Sequence, residues 1–258
     1  MIYPESKAEI GNNFINPINI IPLIDLTSLN EDDDEISITA LCENAKTPYG
    51  NVASVCVYPK FINLVVSLLK NTPIKINTVV NFPTGDFTMA ETLSLAEAAI
   101  SNGANEIDMV FPYKTYLLGD KNTAIEFVSN VKKLCKNDVK LKVIIETGEV
   151  KYPGLIQMIS TDAINAGADF IKTSTGKTSQ GATIEAAETI LNTIHTHPGS
   201  HTVGLKVSGG IRTIAQALSY IEVAQKVMGS DWIQPTFFRI GASSLLNEII
   251  STADHSNK

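Results

Sequence analysis

Eight short runs of apolar, often β-branched residues recur along the chain, separated by longer stretches of helical periodicity. The runs are INIIPLIDLT (18–27), VASVCVYP (52–59), IKINTVVNFP (74–83), EIDMVFP (106–112), VKLKVIIETG (139–148), ADFIKTSTG (168–176), TVGLKVSGG (202–210) and FFRIGASS (237–244). Each closes on Gly, Pro, Ser or Thr, the punctuation that ends strands. Between them, DDDEISITALCENAK, TMAETLSLAEAAISNGA, LIQMISTDAINAGA, ATIEAAETILNTIH and TIAQALSYIEVAQKVMG read as helices. Gly103 and Gly167 stand just past the ends of the second and third. Eight strand–helix units in 258 residues predict an α/β chain folded as one (β/α)8 TIM barrel. An open doubly wound sheet is the alternative, but it calls for a GxGxxG turn after the first strand, where this chain has SLNEDDDE. No linker or repeat divides residues 1–258, while 1–14 and 251–258 are expected to be loosely packed ends.

Chemistry in such a barrel gathers at the C-terminal ends of the strands. Asp25 closes the first run, Asn81 the third, Asp108 the fourth, Glu146 and Thr147 the fifth, Lys172 the sixth and Lys206 the seventh. A strand gains no stability from ending on an ionisable side chain, because a buried charge is costly without a partner or a task. Strands four and six have the same parity, so Asp108 and Lys172 are expected to face each other across the barrel, with Lys206 beside them. Two ammonium groups close together in a poorly solvated space lower a lysine pKa from its usual value of about 10.4. A neutral amine is what imine formation with a carbonyl requires. The plain alternative is a structural ion pair between Lys172 and Asp108, which the second lysine makes less economical.

The loops after the last three strands read TSTGK, SGG and GASS. Their glycines, hydroxyls and helix N-termini suit a phosphate, which barrels commonly hold in this region. The candidates are Gly176, Lys177, Gly209, Gly210, Ser243 and Ser244, with Thr173 and Thr175 as further substrate contacts. Lys177 is read either as a point charge for the phosphate or as a solvated loop lysine.

Charge removes other function classes. The net charge of −7 and the absence of a basic tract argue against nucleic acid as a partner. No run of 18 apolar residues and no secretory leader are evident, so a membrane partner is not expected. Cys42, Cys56 and Cys135, odd in number and without CxxC spacing, suggest reduced thiols and a cytoplasmic location. His195, His197 and His201 lie in a Pro/Gly loop without a carboxylate or cysteine beside them, so no metal site is expected. The acidic stretch Glu31–Glu35 is read as the first turn of a helix capped by Asn30.

The segments LIDLTSLNEDD, AKTPYGNVASVCVYP, VVNFPTG, EIDMVFP, KVIIETG, GADFIKTSTGK, VGLKVSGGIRT and RIGASS occur in this order from about Leu23 to about Leu246. Together they resemble deoxyribose-phosphate aldolase of the class I type. The resemblance implies a TIM barrel that reversibly cleaves 2-deoxy-D-ribose 5-phosphate to D-glyceraldehyde 3-phosphate and acetaldehyde, in deoxyribonucleotide catabolism, without metal or other cofactor. It implies Lys172 as the Schiff-base lysine, Asp108 in proton transfer and Lys206 as the lysine that perturbs Lys172. It also implies Asp25 in the DLT motif close to Lys206, and the glycine and serine loops near the substrate phosphate.

The sequence departs from the family pattern at Val207, where Pro or Ala is common, and in lacking a C-terminal tyrosine that assists proton transfer in some members. Val207 is expected to alter its loop slightly. Cys56 is read as a buried core residue, with modification by acetaldehyde as the alternative. The rival functions are a phosphosugar isomerase or epimerase and a non-catalytic phosphosugar-binding relative. A homodimer is suggested only by the habit of related barrels.

Overall fold

The eight apolar runs become eight parallel strands in the computed structural model, which describes residues 16–136, 139–198 and 202–256, the last without its side chain. They are β1 Ile24–Thr27, β2 Ser54–Val57, β3 Lys75–Val80, β4 Glu106–Val110, β5 Lys140–Ile144, β6 Phe170–Lys172, β7 Gly204–Ser208 and β8 Phe238–Ala242. Each pairs with its sequence neighbours, and β8 pairs with β1 to close the barrel. The helices are α1 Glu35–Asn44, α2 Ile62–Leu69, α3 Met89–Ser101, α4 Tyr113–Leu117, α5 Lys121–Leu134, α6 Thr147–Val150, α7 Pro153–Asn165, α8 Ile184–Thr196, α9 Ile214–Met228 and α10 Leu245–Ser256. A two-stranded antiparallel ribbon, Lys46–Thr47 with Gly50–Asn51, follows α1.

Local chemistry explains where these helices begin. Asp34 caps α1, its side chain accepting from Ser37 N–H while the Ser37 hydroxyl accepts from Asp34 N–H. The same reciprocal arrangement opens α3 with Thr88 and Glu91, and α9 with Thr213 and Gln216. Gly103 and Gly167 both have φ near +103°, the conformation expected just beyond the C-caps of α3 and α7.

Three expectations are corrected. The first run yields a strand only over Ile24–Thr27, because residues 17–23 wind into a 3-10 helix that begins at Pro17. Pro17 and Pro22 carry no N–H for a sheet ladder, so neither belongs inside a central strand. The cap of α1 is Asp34 rather than Asn30; Asn30 instead donates its backbone N–H to Asp33 Oδ2 at 2.9 Å within the preceding loop. Residues 251–256, expected to be loose, continue α10, where Ala253 is buried and Asp254 accepts a 2.6 Å hydrogen bond from the Tyr49 hydroxyl. The expectation for residues 1–14 falls outside the described residues.

Strand alternation divides the core in two. Ile107, Met109, Leu141, Val143, Ile171, Leu205, Val207 and Ile240 are fully buried in the apolar core. Their strand neighbours Glu106, Asp108, Lys142, Lys172, Lys206 and Arg239 bond to one another inside the barrel. Val207 therefore lies within β7 as packing, and its side chain alternates with Lys206 and Ser208 instead of shaping the loop.

Candidate active site

Strand register assembles the site. Lys172 is paired in register with Ile144 of β5 and Lys206 of β7, and Lys206 with Arg239 of β8. Asp108 is paired with Lys142 of β5, and Asp25 of β1 with Gly241 of β8. Gly241 leaves the room that its neighbours fill: a Cβ there would stand 3.0 Å from Lys206 Cε and 2.9 Å from Ser208 Cβ.

The result is a closed ring of six alternating charges. Asp108 Oδ2 lies 2.8 Å from Lys206 Nζ, which lies 2.7 Å from Asp25 Oδ2. Asp25 Oδ1 is 2.6 Å from Arg239 Nη1, and Arg239 Nη2 is 2.9 Å from Glu106 Oε1. Glu106 Oε2 is 2.5 Å from Lys142 Nζ, and Lys142 returns to Asp108 Oδ1 at 3.0 Å. Three carboxylates and three cations balance, and each touches at least two groups of opposite sign, with Lys142 also 3.7 Å from Asp25 Oδ2 across the ring. Lys172 stands outside this circuit, joined to it only through Asp108 Oδ2 at 2.7 Å. All seven residues are buried.

Protonation follows from that arrangement. Burial disfavours the charge on every member, but inside the ring the partners outweigh it. For Asp108 the opposing cations are Lys142, Lys172 and Lys206, and its carboxyl is held well below the usual range. Lys206, Arg239 and Asp25 are likewise held in their charged forms against the desolvation of burial, Lys206 chiefly by Asp108 and Asp25. Lys142 is raised above the ordinary lysine value by Asp108, Glu106 and Asp25. Lys172 alone among these cations moves down: desolvation leads, Asp108 opposes it, and the adjoining Lys206 adds repulsion.

Above Lys172 opens a cavity of about 200 Å³. Its wall includes Thr175, Gly176, Lys177, Gly209, Gly210 and Ser243, so the three loops singled out in the sequence converge there. Asn30 and Arg212 also line it, two residues that the sequence reading missed as contacts. Arg212 stands two residues after Gly210, and a lone arginine in a loop carries no sequence signal beyond that proximity. Ser244 and Thr173 do not line the cavity. Ser244 begins the turn into α10, its carbonyl accepting from Asn247 N–H at 3.1 Å. Thr173 instead stitches β6 to β7, its hydroxyl accepting from Ser208 N–H at 3.1 Å and donating to Ser208 O at 3.2 Å.

The remaining polar strand ends hold loops. Asn81 spans from Val110 O, to which its Nδ2 donates at 2.8 Å, to Phe87 N–H, which its Oδ1 accepts at 2.9 Å. Glu146 accepts both the hydroxyl of Thr175 at 2.5 Å and its N–H at 3.2 Å, which ties the TSTGK loop to the end of β5. Burial raises the Glu146 pKa against these bonds. Cys56 lies fully buried within the field of Lys206, Asp108 and Lys172, and burial pushes its thiol up to about 11. A larger cavity of about 530 Å³ beside Tyr58, Phe82 and Phe87 is mainly apolar and holds none of the ring residues. Convergent charge, not size, marks the site.

His197 Nε2 lies 3.0 Å from Asn165 Oδ1, and His201 falls outside the described residues. Among the described residues, no group of three or more His, Cys, Asp or Glu side chains is arranged to hold a metal ion, and no helix is long and apolar enough to cross a membrane.

The comparisons with known proteins agree with this architecture. The family model of DeoC/LacD family aldolases matches residues 19–249. The crystal structure of a candidate deoxyribose-phosphate aldolase from Coccidioides immitis is 30% identical, with a TM-score of 0.82 over 92% of this chain and 86% of that one. An aldolase called QR15 is 26% identical, with a TM-score of 0.79 over 93% of this chain and 98% of its own. The apo form of a candidate deoxyribose-phosphate aldolase from Toxoplasma gondii ME49, at 24% identity, shares the fold with a TM-score of 0.84 over 93% and 96% of the two chains.

Proposed function

The chain belongs to the DeoC/LacD family of aldolases, and on that premise we propose that it cleaves 2-deoxy-D-ribose 5-phosphate reversibly through an imine on Lys172. The observation that carries this reading is the position of Lys172. Among the described residues it is the one lysine on a barrel strand that lines the cavity, and it lies outside the charge-balanced ring.

Neutral Lys172 attacks the aldehyde carbon of the open-chain sugar, and loss of water leaves a protonated imine. That cation draws electrons from the adjacent bond. The C3 hydroxyl gives up its proton, the C2–C3 bond breaks, and its electron pair forms an enamine on the lysine. D-Glyceraldehyde 3-phosphate departs as the C3 carbon becomes a carbonyl. Protonation of the enamine at C2 and hydrolysis of the imine then release acetaldehyde and restore Lys172. Asp108, at hydrogen-bond distance from Lys172, is the group suited to exchange the protons, directly or through one water. The imine itself is the electron sink, so the chemistry calls for no metal.

The substrate phosphate is assigned to the part of the cavity lined by the glycine loops, Lys177 and Arg212, because backbone N–H groups and cations of that kind suit it. Binding there spends remote energy on aligning the reacting carbons. Treatment with borohydride in the presence of acetaldehyde or the phosphosugar tests the reading. One reduced adduct on Lys172 is expected by peptide mapping. Turnover with no adduct at that residue overturns it in favour of an isomerase or epimerase, which needs no imine.

A further inference from the structure

Arg239 and Glu106 take part in the ring from its far side. Neither lines the cavity that holds Lys172; both line a different cavity, with Phe170, Lys75 and Lys140, at the N-terminal ends of the strands. That end of a barrel ordinarily serves stability. Here it completes a circuit of ion pairs that ends at Asp108, the partner of Lys172.

Counting charge around the circuit gives Asp25, Glu106 and Asp108 against Lys142, Lys206 and Arg239, a neutral set. Adding a proton to Lys172 leaves one buried positive charge in excess; removing it restores balance. We propose that Arg239 and Glu106 are positioning residues for the imine chemistry, closing the ring at zero net charge so that Lys172 is the group that releases its proton. The proposal rests on the imine reading above.

Several groups face Lys172 from the elements around it. They are Asp108 from β4, Lys206 from β7, Cys56 from β2, Glu146 from the end of β5, and Lys177 and Arg212 across the cavity. Lys142, Asp25 and Arg239 lie behind the first two. Glu146 is engaged by Thr175 and Thr178, and among the described residues it forms no ion pair with a ring cation. Cys56 is a neutral thiol at neutral pH. The balance therefore lies with the ring.

Removing one charge of either sign gives opposite results, which a purely structural role does not. Arg239→Gln leaves the ring with an excess negative charge, so Lys172 keeps its proton to higher pH. Glu106→Gln leaves an excess positive charge, so Lys172 loses its proton at lower pH. Arg239→Lys keeps the charge. The double variant Arg239→Gln, Glu106→Gln returns the ring to balance with Lys142 and Lys206 against Asp25 and Asp108.

The readout is the pH dependence of imine formation with acetaldehyde, followed as the rate of borohydride trapping in the full chain. The acid limb is expected to move up by about one pH unit in Arg239→Gln and down by about one in Glu106→Gln, a tenfold change in neutral amine at fixed pH. The double variant and Arg239→Lys are expected to retain the wild-type limb. If Arg239→Gln fails to fold, the Glu106→Gln and double variants decide. An acid limb unmoved in Glu106→Gln, or one displaced in the double variant, overturns the proposal while trapping of the wild type on Lys172 stands. Absence of trapping in the wild type removes the imine reading and this proposal with it.

Discussion

Lys172 and Lys206 are paired in register on β6 and β7 and place their ammonium nitrogens 2.7 and 2.8 Å from the same oxygen, Asp108 Oδ2. Their pKa values nevertheless move in opposite directions. Asp25 accounts for the difference. Lys206 has that second carboxylate at 2.7 Å, whereas among the described residues Lys172 forms an ion pair with Asp108 alone, so burial prevails at one lysine and attraction at the other. Two residues of one type, on adjacent strands and against one carboxylate, thus acquire different chemistry.

Activity is expected to fall as pH is lowered through the Lys172 pKa, because only the neutral amine attacks. That acid limb lies below the ordinary lysine value of about 10.4. A profile of kcat/KM against pH reports it for the free enzyme. A limb at or above the ordinary value contradicts the assignment.

Replacing Lys172 with Met should reduce kcat by on the order of 10⁴ or more, since among the described residues no other lysine on a barrel strand lines the cavity. Stability should move the other way. In the native state Lys172 has a lowered pKa, so between that pKa and about 10.4 the unfolded chain binds the extra proton and wild-type stability rises with pH. The variant lacks this penalty and should melt at the same temperature as wild type, or higher, at neutral pH. The difference should narrow toward pH 10. Thermal melts of both proteins across that range check the sign.

Asp108→Asn is expected to damage both activity and fold. It removes the carboxylate shared by Lys142, Lys172 and Lys206. Breaking a buried ion network at one member costs about 3–5 kcal/mol, and losing a proton-transfer group costs roughly 10²–10⁴ in rate. Denaturant titration and steady-state kinetics measure the two losses separately.

Gly209 has φ of +88°, and a Cβ there would stand 2.9 Å from the backbone Cα of Gly181. Gly209→Ala therefore displaces the loop that walls the cavity. KM for the phosphosugar should rise about tenfold, a loss of ~1.4 kcal/mol within the usual range of backbone strain, while trapping of acetaldehyde changes much less. Equal losses with both substrates would separate Gly209 from phosphate binding.

Cys56 should resist alkylation in the native protein, because it is fully buried and burial pushes its thiol up to about 11. Mass spectrometry after treatment at neutral pH is expected to find it unmodified until the chain is denatured. Rapid native modification, including by acetaldehyde, would mean that the thiol is reached from the cavity.

Much of the architecture was legible as pattern. The short β-branched apolar runs and the Gly, Pro, Ser and Thr that end them encode strands locally, and chain connectivity leaves few ways to close eight such units. The shared even number of strands four and six put Asp108 opposite Lys172, and the two side chains meet at 2.7 Å. Less was legible for Lys142, Glu106 and Arg239. Each sits inside a run that reads as apolar strand, and a charged residue there looks like an ordinary outward-facing one. Only the ring contacts among them, at 2.5 and 2.9 Å, reveal a shared purpose. Thr173 failed in the opposite direction: its place in the motif suggested substrate, but its hydroxyl is spent on Ser208.

By itself, the order of residues along this chain determined which segments become strands and helices and which side chains stand at strand ends, because those are local matters of periodicity and backbone chemistry. Which lysine pKa falls and which rises was decided in three dimensions. That outcome depends on distances between charges from β1, β4, β5, β6, β7 and β8 in the buried interior of the barrel, where a second carboxylate at 2.7 Å outweighs burial and its absence does not.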